Sequence, residues 1–458
     1  MITTVSHTES RMREICTYGS MRGRAHPMGA FRSTLHAKLV LGNGIVAESG
    51  QVTLTATAAG AEVELRGTNV ISGRLHATDS NVKLTLSGLI TNPDGVDTRA
   101  AADIKGVNED SKAFAFYGSQ TRNIYLDNVT MEKAFCASTA SSNKGRSLWA
   151  LANTTNRFCA GGYFYSSWGS VYAARGSQVV FEKNVRSTNG FEKEGDGELT
   201  VCGELTTGGK SFQIRAGTVR VECLDFRATK MIMSSYDTSA SEVCTLELAT
   251  NVVNAGSIEL GSQWTGYVEC LVKIDAGCEA GFDSICKSAD SQDRYARVVG
   301  EDGAVLSMKS ASVLDIRMSG GLGVKADCGM DGVVVLTNRA YEATGPLIAQ
   351  TGVLELDSTA SWAGTNLVVR GASSESYGTL RVASNANFQN RRFDGVIEGS
   401  GKFELASGVR LSFGRLTVDG EKVEPGTYTK NATGVMAGRI LGDGCVVVRG
   451  GGLVMVVR

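Results

Sequence analysis

Proline is nearly missing from this chain, four residues in 458, against 56 glycines. Turns are therefore made by a residue that is free in φ, and almost every backbone N–H stays available for a ladder. No apolar run approaches the roughly 18 residues that a spanning helix needs, so no membrane span is expected. With 46 basic against 47 acidic residues the net charge is −1, which gives no global field for nucleic acid or anionic lipid. The four histidines, His7, His26, His36 and His76, all lie near the start, and the remaining chain has no imidazole for triad or acid–base chemistry. There is no C-x-x-C pair, no EF-hand and no nonapeptide calcium phrase. No stretch of ten or more residues reads as a helix.

What is present is a repeat. The phrase Gly-x-Φ-x-Φ, with Φ apolar, opens at Gly197, Gly217, Gly256, Gly303, Gly332, Gly352, Gly378 and Gly401, at gaps of 20, 39, 47, 29, 20, 26 and 23 residues. Most gaps fall near one or two multiples of the low twenties, the length of one solenoid coil. Each copy is a turn residue followed by period-two alternation, which reads as a short strand with one buried face. The fold expected is all-β, a single-stranded right-handed parallel β-helix over 36–458. Residues 1–35 read as an irregular basic arm, either a disordered terminus or a misplaced start, without the apolar core of a secretory signal. Strands are expected at Gln51–Thr57, Ala61–Arg66, Asn69–Leu75 and Asn81–Ser87. A polar loop excursion follows near 91–112, with strands resuming at Ser111–Tyr117 and Asn123–Met131, and closing coils or a hairpin at 416–458.

The coil length turns sequence distance into neighbouring positions. Cys136, Cys159, Cys202, Cys223 and Cys244 are spaced 23, 43, 21 and 21 residues, with Phe181 in the gap, and are expected to form a buried thiol column. Val201 precedes Cys202 directly while Val221 lies two before Cys223, so their parity differs unless a bulge intervenes. Glu182, Glu204, Asp225 and Glu247 recur at 22, 21 and 22 residues and read as an outward acidic column. Four carboxylates at rung spacing repel, and calcium is the one cofactor they bring into consideration, against a plainly solvated face.

Fourteen of the chain's 31 aromatic residues lie between Phe114 and Phe191. The run Tyr163–Tyr172 cannot aim every ring inward, because successive strand residues alternate faces. Two readings follow: a stacked core with a loop packed over it, or exposed rings, Tyr163, Tyr165, Trp168 and Tyr172, that stack on the faces of sugars.

From about Gly176 onward the chain resembles the parallel β-helix passenger regions of bacterial autotransporter-type and other large surface proteins, and more broadly the pectin-lyase-like β-helices. Phe393–Leu405 (FDGVIEGSGKFEL) is similar to the G-x-I-x-G-x-G-x-L phrase of the passenger-associated strand repeat. Leu416–Gly420, Pro425–Thr429 and Gly442–Gly450 resemble the closing coils of repeat-rich exported proteins. The chain departs from that pattern in carrying 11 cysteines and in having no membrane β-barrel after the repeats. The resemblance implies an extracellular or cell-surface location and a structural or adhesive role, with a glycan or cell-surface partner and no nucleic acid. The alternative is a polysaccharide lyase or glycoside hydrolase on the same scaffold. Pectin-degrading hydrolases carry a Gly-His-Gly phrase and paired aspartates, neither of which occurs here, so a lyase using Asp225, Arg227 and Lys230 in LDFRATK is the form that reading takes. An intracellular scaffold is the second alternative, which the cysteine content favours.

Overall fold

The structure, a computed structural model, describes residues 38–43, 51–54, 61–77, 82–104, 113–118, 124–139, 148–166, 169–234, 243–261, 269–288, 296–373, 375–388 and 392–450. The arm expected at 1–35 lies outside these residues, as do 105–112 of the expected excursion and 451–458 of the closing segment. The structure is nearly all β, and its stacked parallel strands make a β-solenoid of about 13 turns. Among the described residues no helix is long and apolar enough to cross a membrane. Two compact units divide at Leu246/Glu247.

In the first unit several coils are three short strands joined by corners. One coil consists of Gly169–Ala173, Gln178–Phe181 and Val185–Ser187, and the next of Phe191–Glu194, Glu198–Val201 and Leu205–Thr207. Gly169 pairs with Phe191, Gln178 with Glu198 and Val185 with Leu205, all in parallel register. We call the three stacks face one, face two and face three. Face three also holds Phe114–Gly118, Phe135–Thr139 and Gly162–Ser166.

Alternation decides what fills the centre. Inward positions carry Phe135, Phe158, Phe181, Phe191 and Phe212, none with exposed surface. Ring centroids lie 5.0 Å apart for Phe135–Phe158, 5.4 Å for Phe158–Phe181 and 5.5 Å for Phe191–Phe212, in tilted or edge-on pairs, the arrangement the ring quadrupole favours. The corner between faces one and two is left-handed in coil after coil, at Asn128, Asn153, Gly176, Gly195 and Gly217. Asn and Gly are the residues that enter that region at least cost. Gly217 has φ +66, and a Cβ there would lie 2.4 Å from the Gly197 carbonyl oxygen, so the corner needs both a left-handed backbone and the absence of a side chain.

The described part of the excursion folds back over face three. Ala115, Cys136 and Tyr163 alternate with inward Phe114, Phe135 and Phe164 and so point outward, yet Ala115 and Cys136 are fully buried. They pack with Ile104, Ala113, Ala134 and Ala160, and Tyr163 lies against this cluster. Arg186 Nη2 donates to the Ile104 carbonyl at 2.7 Å, tying the excursion to the next rung.

In the second unit the glycine phrase is a literal ladder over part of its length. Val333 pairs with Val353, Gly352 with Gly378 and Thr379 with Lys402, which stacks Gly332, Gly352, Gly378 and Gly401 on successive coils. Gly303 does not join them. Its strand, Val305–Met308, runs between Glu279–Phe282 and Gly323–Asp327 in a different sheet. The stack ends in antiparallel pairing, Thr417–Val418 with Glu421–Lys422 and Gly426–Tyr428 with Val446–Val448.

Candidate functional site

The cysteines do not form the expected buried column. On face two Phe158, Phe181, Val201 and Val221 stack inward, so the residue after each faces out: Cys159, Glu182, Cys202 and Glu222 alternate up one edge. Cys202 Sγ lies 3.6 Å from Glu222 Oε2, and Cys223 Sγ donates to the Gly203 carbonyl at 3.0 Å. Burial, followed by the neighbouring Glu182, pushes the Cys159 thiol up to about 11. Cys136 is buried beneath the excursion, and Cys244 is buried as well.

The four carboxylates are likewise not one column. Glu182 is level with Cys202 and pairs with Arg157, whose Nε donates to it at 2.8 Å. Glu204 sits at a corner, its backbone N–H held by Asn184 Oδ1 at 3.0 Å. Asp225 stands exposed in a turn, and Glu247 pairs with Lys273 at 2.9 Å. Among the described residues no group of three or more His, Cys, Asp or Glu side chains is placed to hold a metal ion. Of the lyase set, Asp225, Arg227 and Lys230 are all exposed, interleaved with buried Phe226 and Ala228.

The aromatic candidates divide between two faces. Tyr172 belongs to face one, where it stacks on Trp149 at 3.9 Å and 29°, and Trp149 meets Tyr125 at 6.0 Å. Lys83 Nζ lies 5.1 Å from the centroid of Tyr125, so this ladder applies its ring faces to one another and to a cation. Trp168 lies outside the described residues. Tyr163 and Tyr165 share the outward side of face three, 5.6 Å apart and nearly perpendicular, and Tyr165 is 46% exposed.

The next rung completes a two-by-two patch. Tyr163 pairs with Arg186, and Phe164 with Ser187, which places Thr188 beside Tyr165. The Arg186 guanidinium carbon is 3.9 Å from the Tyr163 centroid, and Thr188 Oγ1 donates to the Tyr163 hydroxyl at 3.1 Å. Arg186 and Thr188 are absent from the sequence reading. The signal that marks them is their distance of 23 residues from Tyr163 and Tyr165, one coil.

Several other outward charges pair across rungs. Lys83 meets Glu62 at 3.0 Å, Arg297 meets Glu269 at 2.8 Å, and Arg381 bridges Glu355 at 2.7 Å and Glu404 at 2.9 Å. Arg186 pairs with no carboxylate among the described residues, and its Nε is buried without a hydrogen-bond partner. Comparison with protein-family models, with curated proteins and with solved structures finds no match to this chain.

Proposed function

We propose that this chain is a structural or adhesive β-solenoid, displayed at a cell surface or exported, that binds glycan at Tyr165 on face three and does not turn its ligand over. The observation that carries this reading is the patch itself. Tyr165 offers an open ring, Tyr163 and Thr188 offer hydroxyls already joined to each other, and both rungs are fixed by parallel ladders to a phenylalanine core. A flat apolar face beside fixed hydroxyls matches the alternating apolar and polar surfaces of a sugar ring. Several outward charges elsewhere are spent on rung-to-rung pairs, which supports a load-bearing scaffold over a cleft of perturbed acids and bases. The resemblance to autotransporter passengers supports the surface setting. A glycan array probed with the native chain and with Tyr165→Ala tests it: specific binding that the substitution abolishes is expected, and binding that survives it overturns the assignment of the site.

An intracellular scaffold is supported by one observation, that no disulfide joins any of the ten described cysteines. Thiol labelling of intact cells, compared with lysed ones, separates the two settings.

A further inference from the structure

We propose that the glycan taken at this patch is acidic, its carboxylate or sulfate held by Arg186. This rests on the glycan reading above and adds the chemical class of the ligand. Arg186 is half-buried, with its guanidinium carbon 3.9 Å from the centroid of the Tyr163 ring, so one side of the cation is covered by that ring. Nη2 is committed to the Ile104 carbonyl at 2.7 Å, which fixes the orientation of the group. Nε is sealed from solvent without a hydrogen-bond partner, so it leaves the charge unrelieved without itself being a contact point, and no carboxylate pairs with the guanidinium among the described residues. The charge is therefore preset and uncompensated, in contrast to the paired cations at Lys83, Arg297 and Arg381. A planar guanidinium held in place favours an oxyanion through charge-assisted hydrogen bonds, and its partial burial raises the value of each. Room for the ligand comes from the rung above. Ser187 pairs with Thr207, so Gly208 follows Thr188 in its column and puts no side chain over the Thr188–Tyr165 edge. A sugar stacked on Tyr165 thus has the Tyr163 and Thr188 hydroxyls and the Arg186 cation within one coil's height.

Titration calorimetry with three probes tests this: chito-oligosaccharides as neutral sugars, hyaluronan oligosaccharides for carboxylate, and heparin oligosaccharides for sulfate. The native chain, Tyr165→Ala, Arg186→Gln and Arg186→Lys are compared after thermal melts confirm folding. An acidic probe should bind about tenfold or more tightly than the neutral one and weaken with salt. Arg186→Gln should remove that preference, and Arg186→Lys should restore only part of it. Which acidic probe gains identifies the oxyanion. If Arg186→Gln does not fold, Arg186→Lys and the salt series on the native chain decide the matter. Equal binding of neutral and acidic probes, lost in Tyr165→Ala, overturns this inference and leaves the glycan reading standing. Acidic binding that Arg186→Gln leaves unchanged also overturns it. No binding of any probe by the folded chain removes both.

Discussion

Lys193 lies on the inward side of face one, between Val171 and Ile214, with no exposed surface. Its Nζ donates to the carbonyls of Gly195 at 2.7 Å and Ala216 at 2.9 Å, two acceptors that match the two hydrogens of a neutral amine. Burial pulls its pKa from 10.5 down to about 7. Between those values the unfolded chain binds more protons than the folded one, so this residue's contribution to stability is fully present above pH 10.5 and is lost as pH falls towards 7. Lys193→Met should flatten that slope: the melting difference between variant and native chain is expected to change by a few kcal/mol from pH 6.5 to 10. A pH-independent difference would mean that Lys193 titrates normally. The cysteines give a second test at this scale. Alkylation under native conditions should reach exposed Cys286 first and Cys136, Cys244 and Cys270 only on unfolding, with Cys159 accelerating as pH rises towards 11. Mass spectrometry of the labelled peptides reads both. The outward turn of Cys159 and Cys202 was legible in Phe-Cys and Val-Cys, because a residue following an inward one must face out. Spacing by coil length conceals this, since it fixes the rung and leaves the parity open.

At the scale of the element, the glycine phrase is a backbone requirement before it is a pattern. Gly217 and Gly408 both have positive φ, but a Cβ at Gly217 would meet the Gly197 carbonyl at 2.4 Å while one at Gly408 meets nothing within 4 Å. Gly408→Ala should therefore cost about 1 kcal/mol, the strain of a left-handed alanine, and Gly217→Ala clearly more, read from urea unfolding. Equal costs would show that the corner yields. Phe181→Ala, in the centre of the ring ladder, is expected to cost about 3–5 kcal/mol. Alternation and coil length were enough to read strands, turns and stacking from the chain. They failed at Gly303, whose short phrase recurs on another face because any corner that feeds an alternating strand selects the same residues. Tyr163 and Tyr172 show the same limit: nine residues apart in sequence, they occupy different faces because a corner lies between them.

Across the whole molecule, the solenoid orders side chains by rung, and what it places at one rung is what a ligand can use. The acidic residues at 182, 204, 225 and 247 lack that common placement, so adding calcium should leave the melting temperature unchanged; a concentration-dependent rise would reveal a site built from other residues. The patch at Tyr163, Tyr165, Arg186 and Thr188 does have it, although the chain alone displayed only its aromatic half. The cationic half became visible once the register joined residues one coil apart. The central claim is that this surface holds a glycan without altering it. The most direct measurement incubates the protein with an oligosaccharide it binds and follows occupancy and ligand mass together. The prediction is saturable binding at one site, lost in Tyr165→Ala, with the mass of the sugar unchanged over many residence times. Shortened or unsaturated products that accumulate with the native chain would contradict it.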